Sequence, residues 1–149
     1  YINTKIVIDA TALWHLDPHW LHPLAIITPH SREFKQVFDC CPSADCVQKN
    51  ASLYHATIVL KGKTDYISNG IELWVNITGN VGMTKGGTGD VLAGLISALL
   101  ATNNCLNAAL AGSYLNGLVG DRLRERKGTF YNAEDLVEEL GKLWKEIDT

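Results

Sequence analysis

The sequence predicts an α/β protein in which helices cover a mostly parallel sheet and one β-hairpin is added to it. Three observations point there. Short runs rich in branched apolar residues, Ile6–Ile8, Leu24–Ile27 and Ala56–Leu60, lack the polar/apolar alternation of half-exposed strands and read as buried parallel strands. Segments with apolar residues at helical spacing follow them. Asn69-Gly70 stands between two strand-like segments, Asp65–Ser68 and Ile71–Asn76, and favours a type I′ turn.

Taken in order, Ile6–Ile8 forms the first strand and ends at Asp9. Residues 10–22, with Trp14, His15 and Trp20, suit a short helix and loop before the second strand, which Thr28-Pro29 stops. Ser31 to Phe38 reads as a helix with Phe34, Val37 and Phe38 on one face and Ser31 or Thr28 as its N-cap. Ala44 to Tyr54 is a further helix, and Lys61-Gly62 closes the third strand. After the hairpin comes a glycine-rich stretch from Thr78 to Gly89, then an apolar helix from Asp90 to Leu100. Asn107 to Arg126 makes a long helix whose last turn carries Arg122, Arg124, Arg126 and Lys127, suited to the negative end of the helix dipole, with Gly128 as its C-cap. A last amphipathic helix begins at Asn132-Ala133, with Leu136, Val137, Leu140 and Leu143 as its apolar stripe. Trp14, Trp20, Trp74 and Trp144 are expected in core or interface packing. No repeat or low-complexity linker divides the chain, so residues 1–149 form a single domain.

With 149 residues, 46% hydrophobic and 19% charged, the chain can bury a core of its own. A net charge of −3 argues against nucleic acid as a partner. The longest apolar run, Val91 to Ala101, falls short of the roughly 20 residues that cross a bilayer, so no membrane partner is expected. Cys40, Cys41, Cys46 and Cys105 match neither zinc nor redox spacing and are read as reduced thiols of a cytoplasmic protein, with no metal site. The chain opens at Tyr1 and runs at once into a strand, which suggests part of a larger protein.

The chemistry concentrates at Gly86-Gly87-Thr88-Gly89-Asp90. Glycines let the backbone come close to a ligand, and the unpaired N–H groups at a helix start sit at the positive end of its dipole. Together they suit a phosphate. This is not a Walker loop, because no Lys-Ser/Thr pair follows the glycines. Asp90 serves either as a helix-start carboxylate or as a base that takes a proton from a substrate hydroxyl beside the phosphate. Lys61 to Asp65 follow a strand end, where open α/β sheets bind ligands. Asn76, just before the glycines, is a weaker candidate to face a nucleotide.

The stretch Asn80-Val81-Gly82-Met83-Thr84-Lys85-Gly86-Gly87-Thr88-Gly89-Asp90-Val91-Leu92-Ala93-Gly94 resembles the signature of the ADP- or ATP-dependent NAD(P)H-hydrate dehydratases, members of the ribokinase-like superfamily. Segments 7–13, 27–34 and 59–67 match the family in the same order. The resemblance implies a three-layer α/β/α fold and repair of hydrated NADH or NADPH. A nucleotide phosphorylates the added hydroxyl, and loss of phosphate restores the double bond. On the same resemblance Asp90 is the general base and a substrate contact, and His30 also contacts the hydrated nicotinamide. Lys61, Gly62, Lys63, Thr64, Asp65, Thr84, Gly86, Gly87, Thr88 and Gly89 hold the adenine nucleotide. Mg²⁺ accompanies ADP or ATP. Glu33 is a first-turn carboxylate, or helps coordinate Mg²⁺ indirectly.

Two places depart from the family pattern: Thr11, where an acidic residue is usual, and Ser31-Arg32, where Pro-Gly is usual. The family's N-terminal portion has no counterpart here, so the pocket is expected to be completed by a missing segment or by a homo-oligomeric partner. A related small-molecule kinase and a truncated nucleotide-binding subunit without activity are the alternative functions.

Overall fold

A computed structural model describes residues 4–147, so the Tyr1 start lies outside the described residues. Three strands, β1 (Ile6–Ile8), β2 (Ala25–Ile27) and β3 (Thr57–Leu60), run parallel in the order β1-β2-β3. The hairpin strands β4 (Asp65–Ser68) and β5 (Leu73–Asn76) continue the sheet antiparallel to β3.

Alternate residues of the central strands face two separate cores. Ala25, Ile27, Ile58 and Leu60 pack on Phe34 and Val37 of α1 (Ser31–Phe38) and on Val47 and Ala51 of α2 (Ala44–Tyr54). Ile26, Val59 and Ile67 pack on Leu92, Ile96 and Leu100 of α3 (Thr88–Thr102) and on Cys105, Ala108 and Ala109 of α4 (Cys105–Lys127). The sheet is therefore the middle of three layers, the α/β/α arrangement expected. Ile26, Ile27 and Ile58 are fully buried, each contributing about 1.5–3 kcal/mol through area removed from water. A third cluster joins Val119 and Leu123 of α4, Tyr131, and Leu136 and Leu143 of α5 (Ala133–Ile147).

Several expectations are corrected. β1 is not a buried strand: it pairs on one side only among the described residues, and Ile6 is 41% exposed. The hairpin does not turn through a two-residue type I′ loop. Ser68 pairs with Leu73 across four residues, and the Asn69 side chain accepts hydrogen bonds from the amides of Ile71 and Glu72. An asparagine that caps its own loop has no need of the positive φ that Gly70 alone adopts here (91°). All four tryptophans lie at the surface, which excludes the core and leaves interface packing as the other expectation, and Val137 is exposed beside the buried Leu136 and Leu143. The cysteines are not all reduced: Cys40 and Cys46 form a disulfide between the loop after α1 and the first turn of α2, while Cys41 and Cys105 are free thiols.

The N-cap of α1 is neither Thr28 nor Ser31 but His30. Thr28 is fully buried, with its amide bonded to the Ile8 carbonyl, and Ser31 is already helical. His30 Nδ1 accepts from the amides of Arg32 and Glu33, both at 3.1 Å, and Glu33 Oε2 accepts from the His30 amide at 2.8 Å. This is a reciprocal capping box with imidazole in place of a hydroxyl.

Candidate functional site

Parallel strands bring the loops at their carboxyl ends to one edge of the sheet. Asp9 leaves β1, His30 follows β2 by three residues, and Lys61 leaves β3. A single parallel bridge between His30 and Lys61 extends the pairing beyond the strands, and the Lys61 amide donates to the Pro29 carbonyl at 2.8 Å. Lys61 Nζ donates to Asp9 Oδ1 at 2.7 Å, both groups mostly buried. A methyl group added at Gly89 would lie 3.4 Å from Lys61 Nζ and 3.8 Å from Asp9 Oδ2. The amino end of α3 thus abuts this ion pair, at the distance of an ordinary van der Waals contact from an added methyl group.

The glycine-rich segment is tied down by side chains as well as by a short backbone turn, in which the Met83 amide donates to the Asn80 carbonyl and the Thr84 amide to the Val81 carbonyl. Asn76 joins β5 to Asp65 Oδ2 and to the Ser113 carbonyl, and its Oδ1 accepts from Thr78. Asp121 on α4 accepts from the Gly79 amide and from Asn80 Nδ2. Asn80 Oδ1 accepts from the Gly82 amide and from the buried Tyr131 hydroxyl. Burial pushes the Tyr131 pKa up, so its proton stays available for that bond. Lys85 points away to the carbonyls of Thr129 and Tyr131. The Thr88 hydroxyl turns inward to the carbonyls of Met83 (2.6 Å) and Lys85 (2.9 Å).

What remains is a set of free donors. Gly87 caps α3 at φ 88°, and the first bonded amide of the helix is that of Val91, to the Gly87 carbonyl. Among the described residues the amides of Gly86, Gly87, Gly89 and Asp90 have no protein partner, and the Thr88 amide makes only a long contact, 3.4 Å, to Lys85. Unpaired N–H groups at a helix start, with a lysine across a glycine, make a local positive site on a chain of net charge −3.

A cleft of about 540 Å³ opens beside this site. Of the residues singled out from sequence, Lys61, Gly62, Lys63, Asp65, Thr84, Thr88 and Gly89 line it. Asp65 works within the wall: its Oδ1 accepts from the Gly62 amide and its Oδ2 from Asn76, while burial pushes its pKa up against those bonds. The Thr84 hydroxyl donates to the Val81 carbonyl. Thr64, Gly86, Gly87, Asp90 and His30 are not part of the lining. Asp90 is exposed on the first turn of α3, and the imidazole of His30 is about half exposed. Asn76 is buried and holds the framework. Glu33 serves the cap, as its first-turn position led one to expect. No group of three His, Cys, Asp or Glu residues among the described residues is arranged to hold a metal ion.

Sequence reading passed over the rest of the cleft. Asp9 sits at a strand end, the position that singled out Lys61, and was readable by the same rule. Ser113, Asn116, Gly117 and Arg124 line the cleft from α4, and Gly120 and Asp121 hold its roof. Their spacing of three and four residues, small or polar within an otherwise apolar helix, is a legible signal.

The whole arrangement has parallels. A family model described as NAD(P)H-hydrate dehydratase matches residues 2–142. The chain is 43% identical over 143 residues to a bifunctional NAD(P)H-hydrate repair enzyme of Methanocaldococcus jannaschii, covering 95% of this chain and 28% of that protein. It is 42% identical over 130 residues to an ADP-dependent (S)-NAD(P)H-hydrate dehydratase of Cenarchaeum symbiosum, covering 83% and 45%. Among solved structures it resembles an ADP/ATP-dependent NAD(P)H-hydrate dehydratase from Bacillus subtilis co-crystallised with ATP/Mg²⁺. The TM-score is 0.85 at 28% identity, over 97% of this chain and 56% of that one. The chain thus spans from under a third to just over half the length of these relatives. The free amides at the start of α3 lie in the segment that first suggested the resemblance, and with a match over nearly its full length the chain belongs to the NAD(P)H-hydrate dehydratase family.

Proposed function

We propose that this chain carries the nucleotide half of an ADP- or ATP-dependent NAD(P)H-hydrate dehydratase, a lyase that returns hydrated NADH or NADPH to the normal cofactor. One observation carries the reading: four amides around residues 86–90 lack protein partners, and one of these residues, Gly89, abuts Lys61. Such donors stabilise the charge that spreads over a transferring phosphoryl group, and they need no reorganisation during the step.

In this reading Asp90 takes the proton from the hydroxyl of the hydrated nicotinamide. The freed oxygen bonds to the terminal phosphorus of the nucleotide, whose bridging oxygen leaves with AMP or ADP. The new phosphate ester then departs as inorganic phosphate together with a proton on the neighbouring carbon, restoring the ring double bond. Lys61 and the amides of Gly86 to Gly89 hold the phosphates, with Gly62, Lys63 and Asp65 as the facing wall and Thr64 in the loop behind it. Thr84 and Thr88 shape the loop, since both hydroxyls donate within the protein.

His30 contributes one group to a substrate. With Nδ1 accepting in the cap, His30 has Nε2 as its donor, 3.4 Å from Glu33 Oε1, so an amide carbonyl such as that of nicotinamide would share this donor with Glu33. Mg²⁺ fits as a companion of the nucleotide rather than as a resident ion. It usually binds through one or two carboxylates plus phosphates, and Asp9 and Asp90 are the carboxylates beside the α3 amino end. Bound there, the ion would neutralise phosphate charge. Asp90 and His30 are exposed outside the cleft, so a further segment or a partner chain is proposed to close the substrate side. A cytoplasmic location is proposed from the reaction, not from the cysteines, given the Cys40–Cys46 disulfide.

The test is an assay of hydrated NADH with ADP or ATP and Mg²⁺, following NADH absorbance and free phosphate. Asp90→Asn is expected to lower turnover at least about a hundredfold while nucleotide affinity stays near its original value. Undiminished turnover in that variant would remove Asp90 as the base.

A further inference from the structure

The α4 wall of the cleft carries a feature that phosphate binding does not use. Ser113 and Asn116 are 2% and 6% exposed, both line the cleft, and both Ser113 Oγ and Asn116 Oδ1 lack any hydrogen-bond partner. Buried polar atoms are nearly always paired, so two left unpaired on one cavity wall mark a place where a ligand supplies the partner. An amide oxygen attracts a donor and repels a phosphate, so the partner is not the anionic end of the nucleotide. The neighbouring walls include Ile77, Met83 and Leu92, apolar surfaces against which a flat ring can lie.

We propose that Asn116, supported by Ser113, recognises the amino-bearing edge of adenine and sets the enzyme's preference for adenine over guanine nucleotides. This rests on the nucleotide reading above. A carboxamide places an acceptor beside a donor, and adenine answers on its five-membered-ring side with its 6-amino group beside N7. Guanine carries a carbonyl oxygen beside N7, so on that edge it presents two acceptors, which a carboxamide satisfies in neither orientation. The close approach of α4 to the glycine segment makes the contact possible. A methyl group added at Gly117 would collide with Thr78 and one at Gly120 with Met83, so α4 packs with its backbone against the cleft roof.

The experiment measures the affinity of the protein for ADP, 2′-deoxy-ADP, GDP and inorganic pyrophosphate, before and after Asn116→Leu. The replacement is close to isosteric and removes an unpartnered buried polar group, so the thermal midpoint of the free protein should hold or rise. ADP affinity should fall at least about tenfold, the ADP preference over GDP should vanish, and pyrophosphate affinity should not change. The proposal is overturned by ADP affinity and preference that survive the substitution, by ADP and pyrophosphate affinities that fall together, or by a wild-type protein that discriminates against 2′-deoxy-ADP but not GDP. If the unaltered protein binds pyrophosphate and both nucleotides equally well, the phosphate grip stands and base recognition alone fails. If it binds none of them, both fail.

Discussion

Gly86 and Gly87 are adjacent glycines with different tasks. Gly87 adopts φ 88°, and an added methyl group would come within 2.9 Å of Ala133 on α5. Gly87→Ala should therefore destabilise the fold by about 1–3 kcal/mol in denaturant titration, as the strained backbone and the contact both resist it. Gly86 has open space around it. Gly86→Ala should leave the denaturation midpoint nearly unchanged yet weaken nucleotide binding, because its methyl group would stand in the space left for phosphate; unaltered affinity would place the ligand elsewhere. Asp90 was readable from sequence as a first-turn carboxylate of α3, and its part as base belongs to the proposed reaction. The cap formed by His30 was not, since an imidazole after Thr-Pro serves equally as ligand contact or as acceptor, and only the positions of the Arg32 and Glu33 amides distinguish the two.

At the scale of elements, the glycine-rich segment depends on α4 and on the turn into α5. Asp121 holds Gly79 and Asn80, and Tyr131 holds Asn80 from the other side. The turn is fixed in part by Asp135, which accepts from Lys127 at 2.5 Å and from the Asn132 amide at 3.0 Å. The Lys127 hydrogen bond, with the Asn132 amide, holds the Asp135 carboxyl below its usual 3.8. A carboxylate lowered in the folded state adds stability that is fully present above the unfolded value and is lost as pH falls through the folded one. Asp135→Asn should accordingly leave a protein slightly less stable at neutral pH whose stability falls less steeply from about pH 4 downward. An unchanged acid limb in pH-dependent melting would show that the turn does not rely on this charge. The helices were legible because their apolar residues recur at helical spacing. The hairpin loop and the surface tryptophans were not, because the Asx turn at Asn69 and the limited room in the two cores arise only once the sheet is assembled.

For the whole molecule, the α/β/α layering was visible in uninterrupted apolar strands, and the unpaired amides at the start of α3 were visible in glycines before a helix. The cleft's far wall escaped notice because Ser113 and Asn116 lie 36 and 39 residues beyond Ile77, and only the crossing of α4 over the glycine segment brings them to one cavity. The exposed positions of Asp90 and His30 fit a nucleotide half that works with further protein, so binding is the property to test first on this chain. The most direct measurement follows backbone amide resonances during ADP titration. Gly86, Gly87, Gly89 and Asp90 should show the largest shifts, moving downfield as their N–H groups acquire phosphate oxygens, and Lys61→Met should weaken the affinity that these shifts report. Saturable ADP binding with those four amides unmoved would contradict the account.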